Sequence, residues 1–206
     1  MTTDAATMTT FVTSDLDMTD RYKLLTGLVV PRPIGWIGTC SSNGTNNLAP
    51  YSFFNAVSAD PPTVLFSAGT TARKDSAANA VETGEFTVNI VGRAVAEAMN
   101  TTSASVAEDV DEFELAGLTA VPGVLVGAPR VAEAAAQFEC TVTHSMHVGR
   151  AGGGNLVVFG EVVAMHVADD VLDGTRVDQQ RLHPVGRHAG NWYSDATDLF
   201  ELIRPA

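Results

Sequence analysis

Residues 31–67 read PRPIGWIGTCSSNGTNNLAPYSFFNAVSADPPTVLFS, and this stretch carries the strongest signals of the fold. Its first part, residues 34–41, is rich in β-formers and small residues, which is typical of a strand. Asn43-Gly44 follows and predicts a hairpin with a type I′ turn, because both central residues of that turn need φ > 0. The stretch is therefore expected to open with a β-hairpin.

The second half of the stretch predicts two more strands. One strand is expected over residues 46–55, where Pro50 marks an edge or a bulge because proline cannot donate to a strand ladder. Asp60-Pro61-Pro62 ends this strand, and the continuous apolar content of residues 63–67 (TVLFS) then predicts a buried strand.

Outside this stretch, the sequence predicts further strands and three helices. Further strands are predicted at 85–91, 138–143 and 155–166, and helices at 20–28, 75–83 and 93–99. The second helix is expected to have Asp75 as its N-cap and Gly84 as its left-handed stop. About seven strands with two or three inserted helices favour a mainly β fold, an antiparallel barrel with helical insertions.

Length and charge narrow the classes of function. The chain has 206 residues, which fits one domain over residues 20–206 preceded by an N-terminal arm over residues 1–19. Its net charge of −12, without a basic patch, disfavours nucleic-acid binding. No apolar run reaches the roughly 18–20 residues of a membrane span, and the start does not resemble a signal peptide, so we expect a cytoplasmic protein without membrane contact.

Several common sites find no support in the residues. No GxGxxG stands at a strand–helix junction, and no P-loop or GxSxG elbow occurs. His144 and His147 lack a third ligand at a recognised spacing, so no metal site is expected. The acidic cluster of residues 108–114 is interpreted as a solvated surface; its members are Glu108, Asp109, Asp111, Glu112 and Glu114.

The segment from Ser67 to Asn79 offers a candidate phosphate site. A buried strand leads through a glycine-containing turn into a helix start, where free N–H groups and a positive partial charge favour anions. Arg73 and Lys74 add two cations, and hydroxyls come from Ser67, Thr70, Thr71 and Ser76. Two interpretations stay open at this point: a phosphate cradle, or a capped helix that carries surface basic residues.

Taken together, the segments resemble the flavin reductase-like family, which binds FMN in a split β-barrel of antiparallel Greek-key type. The resemblance runs from about residue 20 to the C-terminus and rests on the order and spacing of several short pieces. These pieces are PRPIGWIGT (31–39), NLAPYSFFN (47–55), SADPPTVLFS (58–67), ARKDSAAN (72–79), GEFTVNIV (84–91), EFELAGLT (112–119), PRVAEA leading to FEC (129–140), VVFGEVVAMH (157–166) and PVGRHAGNWY (184–193).

The resemblance implies a site as well as a fold. It implies a homodimer with FMN near the subunit interface, and a tail over residues 187–193 that completes the site or the interface. The flavin would be lined by Asn47, Ala49, Pro50, Tyr51, Ser52 and Phe53. The phosphate end would be held by Ser67, Arg73, Lys74, Asp75 and Ser76. Aromatic candidates to pack on the flavin ring are Trp36, Tyr51, Phe53 and Trp192.

The activity that this resemblance implies is reduction of flavin by NADH or NADPH. Hydride transfer between two stacked rings needs proximity and orientation more than an acid or base, so the absence of an obvious catalytic residue agrees with it. His166 and His188 are candidates to contact the nicotinamide or the flavin edge, although a structural role remains open for each. Reduced flavin would pass to a flavin-dependent monooxygenase or another acceptor. The alternatives are a flavoredoxin-like FMN electron carrier without a nicotinamide site, and an interaction protein with a degenerate site.

Overall fold

The computed structural model describes residues 7–71, 74–150 and 153–205, and over these residues the chain is mainly β. The strands are β1 (Gly35–Cys40), β2 (Asn46–Tyr51), β3 (Phe54–Ala59), β4 (Pro62–Gly69), β5 (Glu85–Ile90), β6 (Ala120–Val121), β7 (Arg130–Val131), β8 (Ala136–Val148), β9 (Asn155–Val167), β10 (Leu172–Asp173), β11 (Arg176–Val177), β12 (Val185–Arg187) and β13 (Tyr193–Asp195). Seven of them form one antiparallel sheet in the order β2-β1-β5-β8-β9-β4-β3. The mainly β, antiparallel prediction is confirmed.

Short helices fill the connections between these strands. They are α1 (Met18–Leu28), α2 (Asp75–Thr83), α3 (Ala96–Thr101), α4 (Glu112–Leu115) and α5 (Gln179–Leu182), with 3-10 turns at Arg93–Val95 and Asp169–Val171. Helix α2 packs against β1, β2, β5 and β9 and so covers the middle of the sheet. Among the helices of the described ranges, none combines the length and the apolar character that a bilayer crossing requires.

The expected single strand over residues 46–55 is in fact two strands that belong to opposite ends of the sheet. β2 and β3 stand at the two ends of the strand order, and only Ser52 and Phe53 separate them along the chain. A side chain at Gly35 of β1 would meet the ring of Phe54 at 2.5 Å, so β1 and β3 face each other closely. The sheet is therefore curled into a barrel, and the prediction of one strand was wrong because the chain bends to join the second edge.

Pro50 lies on the edge strand, as its chemistry predicts. β2 pairs only with β1 in this sheet, and Trp36 is the partner of Pro50. The N–H of Leu48 points away from β1, because it donates to Glu112 at 3.0 Å. In a strand, the backbone groups of residues i and i+2 point to the same side, so those of Pro50 also point away from β1. The missing N–H of Pro50 therefore costs the ladder no hydrogen bond.

The hairpin between β1 and β2 is confirmed, but its turn is not of type I′. The N–H of Gly44 donates to the carbonyl of Ser41 at 2.9 Å, so Ser42 and Asn43 are the central residues of the turn. Gly44 has φ +87°, whereas Asn43 does not adopt a positive φ. The glycine serves the left-handed position that follows the turn, as in three-residue hairpin loops.

The start of α2 also differs from the prediction by one residue. Lys74 is the N-cap, and no side chain caps it, so Asp75 is the first helical residue and not the cap. The Ser76 hydroxyl, on the first turn, instead donates to Oδ1 of Asn47 at 2.6 Å. Gly84 ends the helix at φ +78° with its N–H bonded to the Ala80 carbonyl, which confirms the predicted stop.

The core lies on both faces of β1, which explains the unbroken buried character of that strand. Ile37 points into one cluster with Phe66, Phe86 and α2, whereas Trp36 points into another with Leu48 and the region of α3 and α4. Both side chains are fully buried. Because the two clusters share β1, the helical insertions are fixed to the barrel wall rather than suspended on loops.

Candidate functional site

A cavity of about 390 Å³ lies between β2, the start of α2 and the loop after α3. This volume is within the range of about 300–1,000 Å³ found for small-molecule sites. The cavity brings together seven of the predicted residues, which come from two separate segments: Asn47, Ala49, Pro50, Tyr51, Lys74, Asp75 and Ser76. It is closed by Glu112 and by the loop of residues 102–106, neither of which the sequence patterns indicated.

Glu112 is the main functional candidate that sequence reasoning missed, and the interpretation of it as a solvated surface residue was wrong. Its carboxylate is buried and accepts hydrogen bonds from Nδ2 of Asn47 at 2.9 and 3.0 Å and from the N–H of Leu48 at 3.0 Å. Burial raises the pKa of Glu112, and these hydrogen bonds partly oppose that rise. No local signal in the segment EFEL (112–115) separates Glu112 from the exposed Glu114.

Asp111, in the same acidic run, also has a structural role. Its carboxylate accepts from the N–H of Phe113 at 2.8 Å, which caps α4, and from Nδ2 of Asn46 at 3.1 Å. Glu114 is exposed, as expected for the solvated surface. The first turn of α4 is thus tied to the first residues of β2 by two neighbouring carboxylates.

Asn47 and Ser76 are held by each other as well as by Glu112. Oδ1 of Asn47 accepts from the Ser76 hydroxyl at 2.6 Å and from the Thr39 hydroxyl at 3.4 Å, and all three side chains are buried. Asn79 extends this hydrogen-bond network, because its Nδ2 donates to the Thr39 hydroxyl at 3.3 Å. The network joins β1, β2, α2 and α4 beneath the cavity and fixes the cavity wall.

Tyr51 forms the apolar side of the same cavity. Its ring lies 5.1 Å from that of Phe66, centroid to centroid, at an angle of 49°. Burial raises the pKa of Tyr51 to about 12, which keeps the phenol protonated across the physiological range. Trp36, another aromatic candidate for the flavin ring, is fully buried and donates to the Thr102 hydroxyl at 2.8 Å, so it belongs to the core. Trp192 is 77% exposed.

The predicted phosphate residues are only partly gathered. Lys74 is exposed and lines both the main cavity and a smaller neighbouring one of about 180 Å³ beside Gly69, Thr70 and Ala77. Ser67 lies on β4, where its hydroxyl accepts from Nδ2 of Asn155 at 2.8 Å. Arg73 lies outside the described residues.

Ser52 and His188 lie in a second cavity of about 370 Å³, which shares Pro50 and Ser103 with the first. Nε2 of His188 is 2.8 Å from the hydroxyl of Ser194. Phe53 is half-buried and does not line either cavity, although its carbonyl accepts from the N–H of Ser67 at 2.9 Å.

Arg32 is a further residue that the patterns did not single out, although it stands in the quoted PRPIG segment. It is buried at the wall of the second cavity, where NH1 donates to the carbonyls of Thr26 and Val29, each at 2.6 Å. Its backbone exchanges two hydrogen bonds with Arg187 at 2.9 and 2.8 Å. Arg32 therefore anchors the tail strand β12 to the start of the barrel.

His166 does not lie with the other candidates. Its Nε2 is 2.6 Å from Glu139, a fully buried carboxylate that also accepts from the backbone N–H groups of residues 124–126 at 2.6–3.0 Å. Burial acts to raise the pKa of Glu139, but these hydrogen bonds and His166 outweigh it and lower the pKa to about 2. The contacts of His166 are those of a residue that fixes a loop.

Comparison with known proteins identifies the family of the chain. The sequence matches the Flavin reductase like domain over residues 27–185. It is 40% identical over 195 residues to an uncharacterized protein of Aquifex aeolicus, which covers 90% of this chain and 95% of that protein.

Two solved structures are similar over nearly the whole chain. Nitrilotriacetate monooxygenase component B from Bacillus cereus has a TM-score of 0.93 and 34% identity, over 96% of this chain and 100% of that one. The 2-nitrobenzoate 2-nitroreductase of Pseudomonas fluorescens has a TM-score of 0.87 and 32% identity, over 96% of each chain. On the fold, the sequence match and these likenesses, the chain belongs to the flavin reductase-like family of split-barrel proteins.

Proposed function

We propose that this protein binds FMN in the cavity between β2 and α2 and reduces flavin with electrons from NADH or NADPH. The observation that carries the proposal is that one cavity gathers seven residues from two segments, 47–51 and 74–76, that the family resemblance associates with flavin. The cavity has the size of a small-molecule site and is supported from below by a buried hydrogen-bond network.

The chemistry of the lining residues fits the phosphate and the ring system of FMN. Lys74 supplies a cation for the phosphate, and it stands at the N-terminus of α2, an end that favours anions. On the outward backbone edge of β2 the N–H of Leu48 is bonded to Glu112 and Pro50 has no N–H, so this edge offers carbonyl oxygens to the rim of the ring system. Tyr51 and Ala49 provide an apolar surface for the rings.

When bound, FMN supplies the hydride acceptor, and this chain supplies position and exclusion of water. The hydrogen bonds among Asn47, Ser76 and Glu112 are made between groups of the chain itself, so the contact of β2 with α2 and α4 does not depend on a group of the flavin. Such preorganisation lowers the entropy that is lost when a ligand binds.

The likeness to a monooxygenase component supports a role as the flavin-supplying partner of an oxygenase. The Bacillus cereus protein is named component B of nitrilotriacetate monooxygenase, and the Pseudomonas fluorescens protein a nitroreductase. We propose the first kind of role here: reduced flavin leaves for, or passes electrons to, a second enzyme. His188, beside the cavity that holds Ser52, is the better placed of the two histidine candidates.

We also propose that the active form is a homodimer with the flavin near the interface. The C-terminal segment exposes Phe200, Leu202 and Ile203 by 83%, 83% and 88%, which is unusual for large apolar side chains. A second copy of the chain would cover such a segment. Light scattering of the purified protein tests this, with a molecular mass near 21.6 kDa contradicting it.

The deciding experiment is anaerobic stopped-flow absorbance of the FMN-loaded protein mixed with NADH and, separately, with NADPH. Rapid bleaching of the visible flavin band is the expected result, and the faster donor defines the preference. Bleaching by dithionite alone would favour an electron carrier without a nicotinamide site. A protein that takes up no FMN would refute the proposal.

A further inference from the structure

A third cavity, of about 640 Å³, is not used by the proposed flavin site. It adjoins the second cavity, with which it shares Asn100, Arg187, Asn191 and Tyr193. The second cavity in turn adjoins the proposed flavin cavity at Pro50 and Ser103. The three adjoining cavities lie in a row, here called the trough, with β2 at one end and Arg93 at the other.

Arginine side chains are concentrated in the half of the trough away from Lys74. Arg32 and Arg187 line the second cavity, and Arg187 and Arg93 line the third one. The whole chain carries only 12 lysines and arginines against 24 acids, so three guanidinium groups along one trough form a local positive region in a negative protein.

The partners of these arginines are neutral. Arg32 is 6% exposed, and among the described residues its guanidinium donates only to carbonyl oxygens and to the Ser52 hydroxyl. Arg187 donates to the Tyr193 hydroxyl and the Gly190 carbonyl, with its guanidinium 4.5 Å above the Tyr193 ring. Within residues 7–71, 74–150 and 153–205, Arg93 has no side-chain hydrogen bond or ion pair. Burial lowers the pKa of Arg32, and the like charge of Arg187 adds to that effect.

Two carboxylates, Glu97 and Asp195, also line the third cavity, and they do not pair with these arginines within the described residues. Oδ1 of Asp195 lies 3.0 Å from Nε2 of His183. Glu97 is exposed on α3, one helical turn from Arg93, and forms no ion pair with it within the described residues. The negative charge of Glu97 therefore opposes the binding of an anion at this end of the trough.

We propose that Arg187, with Arg32 and Arg93 on either side, binds the diphosphate of a dinucleotide that approaches the flavin along the trough. This inference rests on the proposed function, because it assigns the position of the hydride donor in that reaction. Guanidinium groups match phosphate oxygens in geometry and charge, and an extended diphosphate can contact two neighbouring arginines at once. Arg32, the buried member of the three, then acquires a counter-charge that the described residues do not give it.

The test is a calorimetric titration of the full chain with ADP-ribose, which contains the diphosphate, and with adenosine, which does not. Arg93→Gln is expected to weaken ADP-ribose binding roughly fivefold, since this arginine is exposed and partly screened. Glu97→Gln is expected to tighten it, because a negative charge leaves the same cavity. Arg176→Gln, an exposed arginine on β11 outside the trough, is the matched control and is expected to have no effect.

Equal ADP-ribose affinities for the Arg93→Gln and Arg176→Gln proteins would overturn the assignment. Adenosine that binds as tightly as ADP-ribose would also overturn it, because adenosine has no diphosphate. FMN uptake is measured separately on the same samples. A chain that binds ADP-ribose as expected but takes up no FMN refutes the proposed function alone, whereas normal FMN reduction with an unchanged KM for the donor in Arg93→Gln refutes this inference alone.

Discussion

The side-chain amide of Asn47 donates to both carboxylate oxygens of Glu112, at 2.9 and 3.0 Å, although 65 residues separate the two in sequence. The contact joins the edge strand β2 to the short helix α4, and the N–H of Leu48 adds a third hydrogen bond to the same carboxylate at 3.0 Å. Since all of these groups are buried, the pair fixes the position of β2 at the proposed flavin cavity.

Replacement of Glu112 by glutamine is therefore expected to destabilise the protein. If the amide oxygen keeps the contact with the N–H of Leu48, the new NH₂ group faces the Nδ2 donor of Asn47, and this buried mismatch should lower the free energy of unfolding by about 1–3 kcal/mol. Urea unfolding measures this change. Glu114→Gln, an exposed position on the same helix, is the control and should change the free energy by less than about 0.5 kcal/mol. Equal effects of the two variants would contradict the role given to Glu112.

Lys74→Ala is expected to weaken FMN binding more than riboflavin binding, because only FMN carries a phosphate. Titrations with both ligands, followed by the quenching of flavin fluorescence, give the two affinities. Lys23→Ala provides a matched control, since Lys23 is the other lysine of the chain and lies on α1 beside Asp20 at 3.5 Å. If Lys74→Ala reduces both affinities by the same factor, Lys74 does not contact the phosphate.

Glu139 should make stability depend on pH on the acid side. The folded structure lowers its pKa from 4.5 to about 2, so the native state prefers the ionised form. The resulting stabilisation, on the order of 3 kcal/mol, is present above pH 4.5 and is lost as the pH falls towards 2. The burial of Glu112, which raises its pKa, acts in the opposite direction.

The measurement compares urea unfolding of the wild type and of Glu139→Gln at about pH 7 and about pH 3. The wild type should lose more stability between these two conditions than the variant does, because glutamine does not titrate. A loss of the same size in both proteins would show that Glu139 is not the group responsible. Flavin affinity should change little, since Glu139 and His166 lie outside the cavities that contain Tyr51 and His188.

Gly160→Ala is expected to overpack the barrel interior. A Cβ at this position would lie 2.5 Å from two ring carbons of Phe86, which is itself fully buried. The cost should be about 1–3 kcal/mol in the free energy of unfolding. Gly27→Ala is the same chemical change at an open position on α1 with nothing within 4 Å, and it should be neutral or stabilising by up to about 1 kcal/mol. The opposite signs of these two changes are the test.

The parts of the fold that sequence could predict are those governed by neighbouring residues. The apolar run at 63–67, the hairpin at Gly44 and the edge position of Pro50 each depend on local steric or hydrogen-bonding rules, and the structure confirms all three. The predicted type of the turn between β1 and β2 was wrong, and the predicted N-cap of α2 was wrong by one residue. In both places several backbone conformations satisfy the same local sequence pattern.

The features that could not be predicted depend on residues far apart in the chain. Nothing near Glu112 distinguishes it from the exposed Glu114 until Asn47 and Leu48 are brought beside it. Likewise, Arg32 belongs to the trough only because β12 pairs with it through Arg187. The family resemblance identified the lining segments, but it did not indicate which side chains hold each other and which face the cavity.

Because only Ser52 and Phe53 connect β2 to β3, the segment proposed to bind flavin also affects the edges of the sheet. Residues 47–51 line the cavity, and the longer segment 46–59 supplies both edge strands of the barrel. A ligand that holds β2 in place would protect that edge, which is otherwise open to pairing with other chains. By mass action, FMN then favours the closed barrel over any opened form. The supply of flavin in a cell would therefore set how much of this protein persists and escapes aggregation, in addition to how much of it is active.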